Sequence, residues 1–157
     1  PAELDRRMAA KLGFAQASDS TRALAGELLK LMTRERTDWT IFWRRLAHHA
    51  AGASADTVRE LFLDRAAIDR VLLQYNELPA LVGHAPGADL MLKSSPAIVL
   101  RNHLAEQAIA LAKQKDFRMV QDLLAVLEHP YDEHPDHLDW AGFPPDWASH
   151  IQISCSS

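Results

Sequence analysis

Apolar residues recur at helical spacing through most of this chain, and that pattern constrains the fold more than any other feature. The clearest example is a stripe at positions i, i+3, i+4 and i+7, formed by Trp39, Phe42, Trp43 and Leu46. A stripe of this kind is one face of an amphipathic α-helix. Because no alternating strand pattern runs for more than a few residues, we predict an all-α fold, a bundle-like arrangement of helices.

Capping residues and prolines indicate where the helices begin and end. A side-chain oxygen that can accept the amides of the first turn marks each predicted start. The predicted caps are Asp19 or Ser20 for the first helix, Thr37 or Asp38 for the second, Ser54 and Asp56 for the third, and Asp116 for the last. We expect the helix that passes through Tyr75 to end at Pro79, since proline disrupts a helix interior. The Gly- and Pro-containing stretch from 79 to 95 is predicted to be a long internal loop, in which Leu90, Met91 and Leu92 could still dock as a short turn.

Two further helices are predicted in the second half of the chain. Ser95 followed by Pro96 is typical of a helix start, and apolar residues surround nearly all of the helix that would run to Leu111. We expect this helix to be central. The last helix should stop at His129-Pro130, and its predicted inward face consists of Phe117, Val120, Leu124 and Leu127.

The chain divides by composition at about residue 130. Residues 1–129 are predicted to form a helical domain, and residues 130–157, which are rich in proline and acidic side chains, an extended tail. The expected anchors of the tail are Trp140, Phe143 and Trp147.

Charge and cysteine content exclude several classes of function. The net charge of −4 gives no attraction to nucleic acid or anionic lipid, and the apolar runs are too short for a membrane-spanning helix. The only cysteine, Cys155, cannot form a disulfide within the chain, so we expect a cytoplasmic protein. The start at Pro1 without Met suggests a piece of a longer protein.

The most conspicuous polar cluster follows the last predicted helix. Imidazoles and carboxylates in one loop could bind a divalent metal. The prolines within this loop separate the side chains, however, so a solvated polar loop is the favoured interpretation, and no metal site is predicted. The cluster consists of His129, Asp132, Glu133, His134, Asp136 and His137.

Polar residues also interrupt the predicted central helix. Arg101, Asn102 and His103 must have hydrogen-bond partners or reach solvent there. Arg101 and Asn102 are therefore candidates for a contact with another domain or for a brace within the fold, and we favour the brace. No glycine-rich phosphate loop and no supported nucleophile–base arrangement occurs, so no catalytic or cofactor-binding residue is predicted.

Several ordered motifs resemble the selenoprotein O family of protein adenylyltransferases, which includes the bacterial YdiU proteins. Residues 38–46 resemble its Asp-aromatic-Thr-x-Phe-Arg-x-Leu motif, and residues 96–109 its Pro-x-x-Val-Leu-Arg-Asn signature. The stretches 144–148 and 154–157 resemble the end of these proteins, where Cys155 occupies a position held by cysteine or selenocysteine. The resemblance spans nearly the whole chain.

The resemblance implies a parent enzyme with a kinase-like fold that uses ATP and Mg (or Mn) to transfer AMP to Ser, Thr or Tyr hydroxyls. Its catalytic residues would lie upstream, so this chain would be a C-terminal helical scaffold and regulatory segment, inactive by itself. Its partners would be the upstream kinase-like region and, for the parent, protein substrates. Cys155 would be a redox group. The alternative is a stand-alone helical module that binds another protein.

Overall fold

The structure, a computed structural model, describes residues 2–150 and consists of helices joined by turns, with no strand in that range. This confirms the predicted all-α class. The chain forms two compact units, the first ending at Pro96 and the second beginning at Ala97. The predicted division between 129 and 130 does not coincide with this break. Every helix within the described range is too short or too polar to cross a membrane.

The first unit contains the longest helices. α4 (Asp56–Arg59) is a single turn, shorter than the pattern predicts, whereas α2 (Asp19–Glu35) and α5 (Arg65–Val82) run for 17 and 18 residues. The helices of this unit are α1 (Ala2–Lys11), α2 (Asp19–Glu35), α3 (Trp39–Ala50), α4 (Asp56–Arg59), α5 (Arg65–Val82) and α6 (Ala88–Ser94).

Side-chain caps fix where α2 and α3 begin. At α2 the cap is Ser18, one residue before the predicted Asp19: its hydroxyl accepts the Thr21 amide at 3.2 Å, and Thr21 Oγ1 accepts the Ser18 amide at 2.8 Å. At α3, Asp38 Oδ1 accepts the Ile41 amide at 3.0 Å, as predicted. Each cap satisfies amides that the helix leaves without a partner.

The predicted stripe on α3 forms the centre of the first unit. Phe42, Trp43 and Leu46 are 0–1% exposed. The Phe42 ring lies 5.0 Å from Trp43 and 5.7 Å from Phe62, in both cases edge to face, a favourable aromatic geometry. Trp39 differs from the other three stripe residues because 45% of it is exposed.

The segment from 79 to 95 is mostly helical, so the prediction of a long loop is wrong. α5 continues through Pro79 to Val82, and the Gly83 amide closes the last turn on the Pro79 carbonyl at 2.9 Å. Gly83 has a left-handed φ of 92°, which is the usual way for a helix to terminate at glycine. Glycine, not proline, therefore ends the helix, and α6 follows a few residues later.

A close backbone approach joins the end of α1 to the turn before α6. Gly13 has φ of 93°, and a Cβ atom at this position would lie 2.6 Å from Pro86 Cβ. The Gly87 amide donates to the Gly13 carbonyl at 2.8 Å. Only glycine satisfies both the backbone conformation and the space at position 13.

The second unit is built on α7 and α8, which pack against each other. α7 begins at Asn102, not at Ser95-Pro96 as predicted, because the amides of Ala97 and Ile98 both donate to the Pro130 carbonyl, at 2.7 and 3.4 Å, instead of opening a helix. The elements of this unit are α7 (Asn102–Lys113), α8 (Arg118–Glu128), a 3-10 turn (Pro135–His137), α9 (Leu138–Ala141) and a second 3-10 turn (Asp146–His150).

α8 turns a different face inward from the one predicted. Leu123 and Val126 are buried, whereas Phe117 is 53%, Val120 42% and Leu124 60% exposed. Both faces are apolar, so spacing alone allows either to pack inward. The core of this unit consists of Ala97, Ile98, Leu104, Ala108, Leu123, Val126 and Trp140.

The segment after residue 130 forms short helical turns within the described range and is not extended throughout. Of its predicted anchors, Trp140 is buried, but Phe143 and Trp147 are exposed. Residues 151–157 lie outside the description. Trp140 therefore belongs to the core of the second unit, whereas Trp147 is half-exposed and contacts the ring of His103.

The two tryptophans of α3 provide a matched test of this packing. Replacing Trp43 by Ala should lower the free energy of unfolding by about 3–5 kcal/mol, because a fully buried ring leaves a large cavity. Trp39→Ala, four residues earlier on the same helix, should cost less, about 1–2 kcal/mol, because 45% of Trp39 is exposed and only part of its ring packs against other groups. Urea unfolding followed by far-UV circular dichroism measures both.

Equal losses for the two variants would contradict the burial of Trp43. If Trp43→Ala does not fold, Trp43→Phe provides the measurable comparison, since it keeps an aromatic ring at this position.

Candidate functional site

Two cationic side chains converge on the C-terminal end of α6. Lys11 Nζ donates to the Ser94 carbonyl at 2.7 Å. Arg44 Nη1 donates to the carbonyls of Leu92 at 3.2 Å and Ser95 at 2.9 Å. The last carbonyls of a helix have no partner within it and carry partial negative charge, so cations are favoured there. Side chains from α1 and α3 thus hold one helix end in place.

Lys11 lies in an unusual environment for an ammonium group. Its Nζ is 5.9 Å from the centre of the Trp39 ring and 5.7 Å from that of Trp43, distances that suit a cation–π contact. Burial lowers the pKa of Lys11. A lysine with a lowered pKa can serve in catalysis, but this ammonium already donates to the Ser94 carbonyl. We therefore assign Lys11 a structural role.

Arg101 and Asn102 lie at the start of α7, not inside a helix. Arg101 occupies the capping position, where its carbonyl accepts the amides of Leu104 and Ala105 at 3.0 and 3.1 Å. Asn102 is the first helical residue and is exposed, whereas Arg101 is half-buried. The proposed brace through Arg101 and Asn102 stays a prediction.

An open depression of about 690 Å³ lies beside this helix start, between residues 100–103 and 144–150. Its most buried polar member is His103, 6% exposed, whose ring meets Trp147 edge-on at 5.9 Å. Burial, followed by the charge of Arg101, lowers the pKa of His103. A neutral imidazole donates one hydrogen bond and accepts one. The hydroxyl among the residues that line this depression, that of Ser149, donates to the Asp146 carbonyl at 2.8 Å, and within the described range no contact between it and His103 indicates a nucleophile–base pair.

The histidine-rich loop makes contacts that differ from metal coordination. The rings of His137 and Trp140 stack at 3.9 Å, and His134 Nε2 lies 2.8 Å from the His129 carbonyl oxygen. Within residues 2–150, no three His, Cys, Asp or Glu side chains are grouped as metal ligands would be. The described geometry thus gives the metal-binding alternative no support. Cys155, the predicted redox group, lies outside the described residues.

Comparison with known proteins identifies relatives that match the chain end to end. It is 57% identical over 157 residues to the protein nucleotidyltransferase YdiU of Variovorax paradoxus, and 54% identical over 161 residues to that of Albidiferax ferrireducens. It is also 47% identical over 160 residues to that of Paraburkholderia xenovorans. These alignments cover 98–100% of the chain but only 30–32% of each relative. No family model matches.

Replacing Lys11 by Met tests the brace at the end of α6. Met keeps most of the apolar stem but leaves the Ser94 carbonyl without its donor, so we expect a loss of about 1–2 kcal/mol in unfolding free energy. Hydrogen exchange of the α6 amides should also become faster, since this end of the helix loses the hydrogen bond from Lys11.

The control is Lys30→Met, which removes the same charge from an exposed position on α2 and should change stability by no more than about 0.5 kcal/mol. If Lys11→Met matched this control in both measurements, the brace would have no energetic role.

Proposed function

We propose that this chain, which belongs to the family of the YdiU protein nucleotidyltransferases, is the C-terminal helical part of such an enzyme. The proposed activity of that enzyme is the transfer of AMP from ATP to Ser, Thr or Tyr hydroxyls of proteins. The observation that carries this proposal is the 57% identity over the whole chain to a relative with that name. The chain spans about a third of the relatives' length, so the activity is proposed for the parent protein.

In the proposed reaction a protein hydroxyl attacks the α-phosphorus of ATP and pyrophosphate leaves. Such a transfer depends on a site that positions phosphates, metal and nucleophile together. The chain has no glycine-rich phosphate loop, and residues 2–150 hold no group of metal ligands. We therefore propose that ATP and Mg (or Mn) bind to the upstream kinase-like region of the parent.

The proposed role of this chain is a scaffold for that region. The first unit suits this role because α2, α3 and α5 have side-chain caps, its aromatic core is buried, and Lys11 and Arg44 hold the end of α6 by hydrogen bonds. A rigid support of this kind keeps catalytic groups in position without contacting the substrate.

Cys155 is the proposed regulatory residue. Because the chain contains one cysteine, a disulfide would join Cys155 to a thiol in another part of the parent, with two electrons and two protons passing to an oxidant. Non-reducing peptide mapping of the oxidised parent protein would locate such a bond.

Labelled ATP tests the proposed activity. The parent protein, incubated with Mg²⁺ and ATP labelled at the α-phosphate, should transfer label to itself or to other proteins. ATP labelled at the γ-phosphate should give no transfer, because that phosphate leaves with pyrophosphate. Mass spectrometry of the labelled peptides identifies the modified hydroxyl.

The 157-residue chain is the matched negative control. It should transfer no label and bind ATP–Mg no tighter than about 100 μM, which corresponds to roughly 5.5 kcal/mol. Transfer or tight binding by this chain would place a nucleotide site here. Transfer of the γ-label by the parent would indicate phosphorylation and contradict the proposal.

A further inference from the structure

α8 is apolar over more of its circumference than its own unit uses. Successive residues of a helix are about 100° apart around its axis. On this scale the apolar positions, from Val126 at one edge to Phe117 at the other, cover about half of the circumference. A stripe about 100° wide is enough to face one core. Met119, Leu123 and Val126 lie on the side that packs inward. The other side, which we call the outer face, consists of Phe117, Val120 and Leu124.

The outer face is open to solvent in this structure. Its three side chains are 42–60% exposed. Single exposed apolar residues are common on protein surfaces, but these three are neighbours on one side of one helix. The row is also placed at i, i+3 and i+7, the spacing by which a helix packs against a neighbour.

The second unit also has little core of its own. Seven buried apolar residues, two of them alanine, form the core of residues 97–150. A unit of about 60 residues buries only about 60% of the surface that its unfolded chain exposes and is marginally stable without further support. A second packing contact on α8 would supply that support.

We propose that the outer face of α8 docks onto the part of the parent protein that lies outside this chain. This inference rests on one part of the proposed function, namely that the chain is a segment of a larger enzyme. The relatives extend over about three times the matched length, so about two thirds of such a protein is available as the partner surface.

The size of the face favours a tethered partner over a second copy of the chain. The outer face has three half-exposed side chains, far fewer than the about 20 to 30 residues that each partner contributes to a stable dimer. A covalently linked partner needs less contact area, because the link raises its effective concentration to the millimolar range or above.

Two matched substitutions test the docking in the parent protein and in the 157-residue chain. Leu124→Glu adds a charge to the outer face. Leu73→Glu is the control, since Leu73 is 64% exposed on α5 and its helical neighbours Asp69, Arg70 and Glu77 are polar. Thermal unfolding followed by circular dichroism measures all four variants.

We expect Leu124→Glu to lower the melting temperature of the parent by at least about 3 °C and to leave that of the 157-residue chain unchanged. Leu73→Glu should leave both unchanged. Amides of α8 should also exchange more slowly in the parent than in the chain, because docking suppresses local opening. Leu124→Gln, which adds no charge, should also lower the melting temperature of the parent, but by less than Leu124→Glu.

Three outcomes would overturn the proposal. The first is a parent whose melting temperature and α8 exchange are insensitive to Leu124→Glu. The second is an equal loss in parent and chain, which would mean that Leu124 packs within the chain. The third is a dimer of the chain, seen by sedimentation, that Leu124→Glu dissociates.

The labelled-ATP assay keeps this test separate from the proposed function. If Leu124→Glu destabilises the parent but the unsubstituted parent transfers no AMP, the docking proposal is supported and the proposed activity is wrong. If the parent transfers AMP but its stability does not respond to Leu124→Glu, the activity is supported and the docking proposal is wrong.

Discussion

Burial of the aromatic side chains of α3 is the contact on which the first unit depends. Trp43 and Phe42 are fully enclosed, and Phe42 reaches Phe62 beyond α4. The Trp43 indole N–H finds no hydrogen-bond acceptor within residues 2–150, which costs about 1–3 kcal/mol. The packing of the ring must outweigh this cost. Since α3 packs against α4 and α6, and α6 against α1, the same contact sets the arrangement of all four helices.

The burial of α3 also explains the cationic brace. Arg44 follows the buried residues Phe42 and Trp43 and is itself only 9% exposed, so its guanidinium must be hydrogen-bonded. The carbonyls of Leu92 and Ser95 at the end of α6 meet that requirement. The motif at 38–46 that resembles the family therefore includes a helix cap, Asp38, and a structural cation, Arg44. Requirements of folding account for these residue types without any contact to a substrate.

Spacing predicts the helices well where one face is clearly apolar, as on α3, where three of the four stripe residues are buried. It fails on α8, because half of the circumference is apolar and two inward faces satisfy the pattern. It also misplaces the start of α7, since the Pro130 carbonyl takes the amides of Ala97 and Ile98. That contact, like the one from Lys11 to Ser94, joins residues far apart in sequence, so no local pattern indicates it.

The close approach of Gly13 to Pro86 has a consequence for how this protein can change during evolution. A side chain at position 13 meets both an unfavourable backbone conformation and the proline ring 2.6 Å away. The Cβ atom that causes this contact is present in every residue except glycine, and two backbone atoms, the Gly87 nitrogen and the Pro86 Cα, would lie 3.0 Å away. Replacing Pro86 by another residue with a side chain therefore leaves the clash in place. Glycine at position 13 is thus required by the backbone around it, and variation of the side chain at position 86 opens no route to another residue there.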